Sequence, residues 1–294
     1  IKQTNSDMEK ILPIGEYIEK GINSLEQNLS FLWGGIDSGI SWTVENLNDL
    51  FLSIPFVVIL VIVAIIAYYS NAKGKLFVKE GFKKAIGLTI FVILGFFLIY
   101  GMGYWDEAIQ TTTLVLVSTV IALILGIPFG ILSAKSNAAD TIIRPILDFM
   151  QTMPAFVYLI PAIFFFSVGN TPGVIATVIF SLPPAVRLTN LGIRNVPGDV
   201  IEAGRAFGAN ENQILYKIQL PLAMPTILAG INQVILLALS MVVIASMVGA
   251  KGLGSVVYQG IQQNDIAKGF ESGLGIVVLA IILDRITQAV ANKK

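Results

Sequence analysis

The chain has 294 residues, 55% hydrophobic and 13% charged, with a mean hydropathy of +0.78 and a formal net charge of zero. That balance excludes an ordinary soluble domain and defines a polytopic membrane protein, and the helical spans below make the expected fold all-α. With no cysteine and no histidine, the chain has no cysteine-based metal site, disulfide, thiol nucleophile or histidine base. It also lacks a GxxxxGK[ST] phosphate loop, so any ATP-driven step needs a second polypeptide.

In chain order, residues 1–50 carry eight acids against three lysines. Ile14, Ile18, Ile22, Leu25 and Leu29 recur three or four apart there, which predicts an external amphipathic helix. Phe31, Leu32, Trp33 and Trp42 form a second apolar patch suited to a membrane interface. A span needs about 20 apolar residues to cross about 30 Å of hydrocarbon. Seven segments qualify: 54–69, 86–102, 111–133, 146–168, 173–187, 222–248 and 273–290. The first two flank the lysine-rich stretch KGKLFVKEGFKK at 73–84, a topology determinant that also suits anionic lipid. The expected organisation is an external segment 1–50, two scaffold spans with a basic inner loop over 51–107, and a five-helix core over 108–294.

Several core residues invite a functional reading. Span four holds Asp148, Gln151, Met153, Pro154, Tyr158 and Pro161, and its prolines predict a kink. Arg144 and Asp148 are four apart, the spacing of a local ion pair. Span five is the shortest and carries Pro183 and Pro184 near its inner end. Span six places Asn232, Gln233 and Ser240 in an apolar stretch, where polar side chains face protein or a wet path. Gln151, Met153, Pro154, Tyr158, Asn232, Gln233 and Ser240 are therefore candidate pathway or gate residues, although interhelical hydrogen bonding explains the polar ones equally well. Gly126 with Gly130, and Ala245 with Gly249, have the spacing of close helix packing. Residues 249–272 predict a re-entrant or surface helix around 256–261.

Between Glu202 and Pro221 the spanning pattern gives way to the polar segment EAGRAFGANENQILYKIQLP. Pro197, Gly198 and Asp199 break the chain, and the spacing of Asp199 and Glu202 predicts a capping box and a helix from Val200. Gly208 ends that helix, and Asn210 with Gln213 repeats the capping-box spacing for a second helix over about 211–220. Two short helices thus meet at a glycine elbow, a structured insert suited to docking a soluble partner.

The segment resembles the EAA motif of ABC importer permeases at Glu202, Ala203, Gly204, Gly208, Ile218, Leu220 and Pro221, with Gly204 where a third alanine is usual. LDFMQTMPAFVYLIPA at 147–162, PPAVRLTNLGIRNVP at 183–197 and ALSMVVIASMVGAKGLG at 238–254 are similar to permeases of the glycine betaine, proline, carnitine and choline importers. The resemblance covers about residues 108–291. It implies a small-class ABC importer permease core with a cytoplasmic coupling helix pair over 198–221. It also implies that those seven motif residues couple the chain to its ATPase. The implied partners are a second copy of the chain, two ATP-binding cassette subunits that hold ATP and Mg, and an external substrate-binding protein, separate or fused. No cofactor in the chain itself and no nucleic-acid partner are expected, and the chain is expected to be non-catalytic. The aromatic cage of this family sits in the binding protein, so Phe149, Phe156, Tyr158 and Phe164 to Phe166 read as packing or gate residues.

With the polar insert inside, 14 of the 19 basic residues fall on the inner side. That places the N-terminus outside and the C-terminus inside, and the resemblance implies a bacterial plasma membrane. The competing reading is an ion-coupled secondary transporter of small osmolytes, which needs intramembrane acids or broken helices. No Asp or Glu is central in any predicted span, and Asp148 and Asp284 lie toward inner ends.

Overall fold

The computed structural model describes residues 14–71 and 79–291. The first half of the predicted basic stretch, 73–78, falls outside the described residues, as do 1–13, 72 and 292–294, while 79–84 opens α4. The elements in order are α1 (Ile14–Asn28), α2 (Ser30–Ser53), α3 (Phe56–Asn71), α4 (Lys79–Gly101), α5 (Trp105–Lys135) and α6 (Asn137–Thr152). A 3-10 turn (Ala155–Tyr158) leads into α7 (Leu159–Phe166), α8 (Asn170–Arg194), α9 (Gly198–Ala206) and α10 (Glu211–Gln213). A π-helical stretch (Ile214–Gln219) then leads into α11 (Leu220–Ser246), α12 (Leu253–Gln263) and α13 (Ile266–Ala291).

Among the described residues, four helical runs are long and apolar enough to cross a membrane: α5, α8, the continuous Glu211–Ser246 and α13. Two further bent pairs pass the same length and composition test together, α2 with α3 at 100° and α6 with the 155–166 segment at 109°, while Ile86–Gly101 of α4 is a shorter apolar helix. All seven predicted segments are therefore helical, but span four is broken rather than kinked. The reason is local. Met153 takes φ −71° and ψ 137° ahead of Pro154, as a residue before proline must when its α conformation clashes with the ring. Ile54 before Pro55 does the same, at φ −84° and ψ 126°. Pro183 and Pro184, by contrast, sit inside α8, which runs on to Arg194. The predicted fifth span is thus too short at its inner end.

The domain boundaries also shift. Position 50 lies within α2, which packs on α5, α7 and α8 and buries Ile40 and Val44 in the core. α2 is therefore part of the bundle, and position 107 lies inside α5. The α3–α4 hairpin packs against α13, through Leu60, Val92, Phe96 and Ile99 on one side and Val278, Leu279 and Ile282 on the other.

At the centre, α8 packs on both α5 and α11. A Cβ at Gly126 would lie 2.5 Å from the Ala185 Cβ, and one at Gly130 would lie 2.5 Å from the Thr189 Cβ and 2.7 Å from the Val186 carbonyl oxygen. The predicted close packing of this pair is present, because only hydrogen fits between the helices. Gly249 is different: α11 ends at Ser246 and Gly249 has φ +93°, so it belongs to a turn and not to a helix face shared with Ala245. Gly130→Ala must push backbone away from backbone, and overpacking of that kind costs about 1–3 kcal/mol. A lowered midpoint of thermal unfolding in detergent checks this, and an unchanged midpoint refutes it.

Candidate functional site

The elbow is built on hydrogen bonds that the sequence encodes. Gly208 takes φ +81°, a left-handed conformation natural to glycine. Around it the Ala209 N–H donates to the Gly204 carbonyl at 3.0 Å and the Gly208 N–H to the Arg205 carbonyl at 2.9 Å. These are the paired bonds of a Schellman helix end. Asn210 then caps the next helix: its side chain accepts from the Gln213 N–H, and the Gln213 side chain accepts from the Asn210 N–H, both at 2.9 Å. The predicted first capping box is absent. Pro197 occupies the N-cap of α9, so Asp199 stands one residue inside the helix and cannot cap it.

The second arm is not a separate short helix. Residues 211–246 form one run of 36 residues, about 54 Å at 1.5 Å per residue against about 30 Å of hydrocarbon. The arm therefore protrudes from the apolar layer as a rigid extension of the span. Its π-helical turn precedes Pro221, which has no N–H to offer the Lys217 carbonyl. The Leu220 N–H reaches back to the Leu215 carbonyl, five residues earlier, and the turn widens to accommodate the ring.

Packing fixes the elbow to the bundle. Leu215 is buried with Ile193, Ala223 and Ile227, and Leu220 packs against this group. Gly204 faces Ile218, whose Cδ1 would lie 2.5 Å from a Cβ at 204. Glu202 and Ala203 are exposed beside it, and Pro221 is exposed at the start of α11. Arg205 pairs with Glu211 across the bend at 3.0 Å, but both are exposed and the pair contributes under about 1 kcal/mol. Phe207 is 93% and Tyr216 65% exposed. Two large rings this exposed are available for a partner to cover.

A polar clamp next to the elbow was not anticipated from the sequence. The Asn190 amide donates to Ser133 Oγ at 2.8 Å and to Asp140 Oδ1 at 2.7 Å, while the Ser133 hydroxyl donates to the same Asp140 oxygen at 2.5 Å. Arg194 donates to Asn190 Oδ1 at 2.8 Å, the Ser133 carbonyl at 2.8 Å and Asn137 Oδ1 at 2.9 Å. Arg144 pairs with Asp140 at 2.7 Å. The expected Arg144–Asp148 pair does not form, and Asp148 pairs with Arg187 of α8 instead. The stripe Arg187, Asn190, Arg194 at helical spacing was the available signal.

The Ser133 hydrogen bond, helped by Arg144, Asn190 and Arg194, outweighs burial and holds the Asp140 carboxyl below its usual value of 3.8. A depressed value means that the charged form stabilises the fold above the ordinary carboxylate range. That contribution is lost only as pH falls through the lower, folded value. Thermal unfolding of the wild type and of Asp140→Asn should differ above pH 4 and converge below it; a difference that grows in acid contradicts the assignment.

The candidate pathway residues separate into groups. Gln151 and Pro154 are exposed at the α6 break, Met153 is half-buried there, and the buried Tyr158 donates back to the Met150 carbonyl. Asn232 faces α13 and donates to Asp284 Oδ1 at 2.9 Å, so interhelical bonding accounts for it. Gln233 and Ser240, seven apart, lie on the exposed face of α11.

A helical multi-pass membrane protein with a rigid polar elbow extending from one span is the class that this geometry defines. The family described as "Binding-protein-dependent transport system inner membrane component" matches residues 126–294, and the chain belongs to it. It is 47% identical over 289 residues to the glycine betaine/carnitine transport permease protein of Listeria monocytogenes, covering 96% of each chain. It is 46% identical over 283 residues to the glycine betaine transport system permease protein of Bacillus subtilis, again 96% of each. The glycine betaine/proline betaine permease of Escherichia coli is 43% identical over 96% of this chain and 76% of its own. Among solved structures, an inward-facing MetNI methionine ABC transporter chain matches with a TM-score of 0.57 and 23% identity, over 62% of this chain and 93% of that one. That likeness establishes the fold. The chain is thus a non-catalytic permease subunit of an ATP-driven transporter, and its family works with an ATPase and a substrate-binding protein. The ion-coupled alternative is not supported.

Proposed function

We propose that two copies of this chain form the path of a bacterial plasma-membrane importer for glycine betaine or a related methylated ammonium solute. Two ATP-binding cassette subunits, which hold ATP and Mg, dock on Glu202, Ala203, Gly204, Gly208, Ile218, Leu220 and Pro221 on the cytoplasmic side. A binding protein, separate or fused, delivers substrate at the opposite, external side, where the N-terminus lies. The single observation that carries this reading is the continuity of the elbow with α11 across residues 211–246. A push on the elbow moves the whole span, and such a lever couples two sites when its contacts differ between the two states. Gln151, Met153, Pro154, Tyr158, Gln233 and Ser240 are the path or gate positions, with the exposed face of α11 turned toward the second copy. The relatives named for glycine betaine and carnitine support the substrate class.

Uptake of glycine betaine into sealed vesicles tests the function. Dependence on ATP on the elbow side, and indifference to ion gradients, is the expected result. Uptake driven by a gradient without ATP refutes it. In mild detergent the complex should contain two copies of this chain and two ATPase subunits.

A further inference from the structure

At the end of the bundle remote from the elbow, α2, the α7–α8 turn and the turn after α11 enclose a cavity of about 440 Å³. The 25 residues of α8 separate the two ends, by roughly 37 Å at 1.5 Å per residue. Trp33, Asp37, Ser41 and Glu45 of α2 line the cavity, and their spacing of four keeps them on one side of the helix. Trp33 sits with its ring centroid 4.5 Å from that of Phe165 and 6.0 Å from that of Phe166. Both phenylalanines line the same space, as does Lys251.

The walls are held by contacts that leave the charges free. Ser41 and Thr171 share a hydrogen bond of 2.9 Å, the Gly169 N–H donates to the Val248 carbonyl at 2.8 Å, and the Lys251 N–H donates to Asn170 Oδ1 at 3.1 Å. Among the described residues, the side chains of Asp37, Glu45 and Lys251 make no ion pair or hydrogen bond. Asp37 is partly buried beside the aromatic wall. Glu45 and Lys251 are exposed to the cavity, so all three charges are open to a ligand of opposite charge.

We propose that this cavity is a transient seat for a trimethylammonium zwitterion on its way into the path. Trp33 and Phe165 receive the methylated nitrogen with the buried Phe166 packed behind them, Asp37 and Glu45 balance its charge, and Lys251 meets the oxyanion. A quaternary nitrogen has no proton to donate, so aromatic faces and nearby carboxylates are what attract it. Compounds in the relatives' names, glycine betaine, carnitine and trimethylamine N-oxide, join a trimethylated nitrogen to a negatively charged oxygen. The cavity offers both halves of that recognition. The proposal rests on the substrate class given above.

The test uses the assembled complex with its ATPase and binding protein in proteoliposomes. Glycine betaine uptake and ATP hydrolysis are measured together for wild type, Asp37→Asn, Trp33→Leu and Trp33→Phe. We expect hydrolysis to stay at the wild-type rate while uptake per ATP falls about three- to tenfold in Asp37→Asn and Trp33→Leu, with Trp33→Phe within about twofold of wild type. Asp37→Asn keeps the side-chain shape, so a folding defect in Trp33→Leu does not remove the test. Wild-type uptake per ATP in Asp37→Asn overturns the seat. A parallel fall in uptake and hydrolysis, with their ratio unchanged, marks a docking face for the binding protein and also overturns it. A wild-type complex that moves no trimethylammonium compound refutes the substrate class itself, an outcome distinct from either.

Discussion

Gly208→Val should reduce coupled uptake at least tenfold while membrane insertion stays normal. A Cβ at 208 would meet nothing within 4 Å, so the substitution creates no clash. The whole effect is backbone. At φ +81° an L residue costs about 1–2 kcal/mol, and a β-branched one more, because its Cβ crowds the adjacent carbonyl. Valine relieves that strain by leaving the left-handed region, which breaks the bonds from Ala209 and Gly208 to the end of α9. The α9 arm then no longer folds back on Ile214 and Ile218, and a push on it is not transmitted to α11. Asparagine tolerates the same conformation, so Gly208→Asn should keep most uptake. Gly204→Ala is a useful contrast. Its Cβ crowds the tip of Ile218 and touches Ile214 only at an ordinary 3.9 Å, so a small rotation of Ile218 accommodates it and near-normal uptake is expected. Wild-type uptake by Gly208→Val, measured with internal ATP, would remove the elbow from the coupling mechanism.

What the sequence made legible were features closed within a few residues. Asn210 and Gln213 satisfy each other over three positions, and Gly208 needs only its own φ, so both could be read without knowing what surrounds them. The Asp199–Glu202 spacing was equally good as a pattern. It failed because Pro197, with its fixed φ, made a competing helix start two residues earlier. Apolar runs located the spans, but hydropathy cannot distinguish Pro154, where the backbone turns by 109°, from Pro183 and Pro184, where α8 continues. The difference lies in neighbours. Those two prolines are buried among packed helices, whereas Pro154 is exposed at the break. The partners of the clamp stripe were illegible for a related reason. Asp148 finds Arg187 at a separation of 39 residues and Asn190 finds Ser133 at 57, contacts that exist only once α5, α6 and α8 have docked. The stripe Trp33, Asp37, Ser41, Glu45 was present in the sequence, but its meaning depends on a turn more than 120 residues away, as the Ser41–Thr171 bond spans 130.

Glu202→Gln and Glu202→Ala should behave alike, each inserting normally and each losing about tenfold or more of coupled uptake. If Glu202 completed a capping box, glutamine would preserve the cap and alanine would not, so the two variants would separate. The structure removes that role. Glu202 lies in the second turn of α9, is exposed, and has no hydrogen bond or ion pair among the described residues. Exposed substitutions of this kind change folding stability by at most about 0.5 kcal/mol. A carboxylate held free on a rigid elbow is then best used by a basic group on the ATPase. Losing one partner of a charge pair that becomes buried in a complex typically costs about 2–5 kcal/mol, which is more than tenfold in affinity. ATPase retention on affinity resin, and uptake at saturating ATP, should therefore fall together in both variants. Raised salt should weaken the wild-type complex in the same direction for as much of the contact as stays open to solvent. Full activity in Glu202→Gln with loss only in Glu202→Ala would restore the capping role. Full activity in both would mean that the elbow docks through its apolar face and Glu202 takes no part.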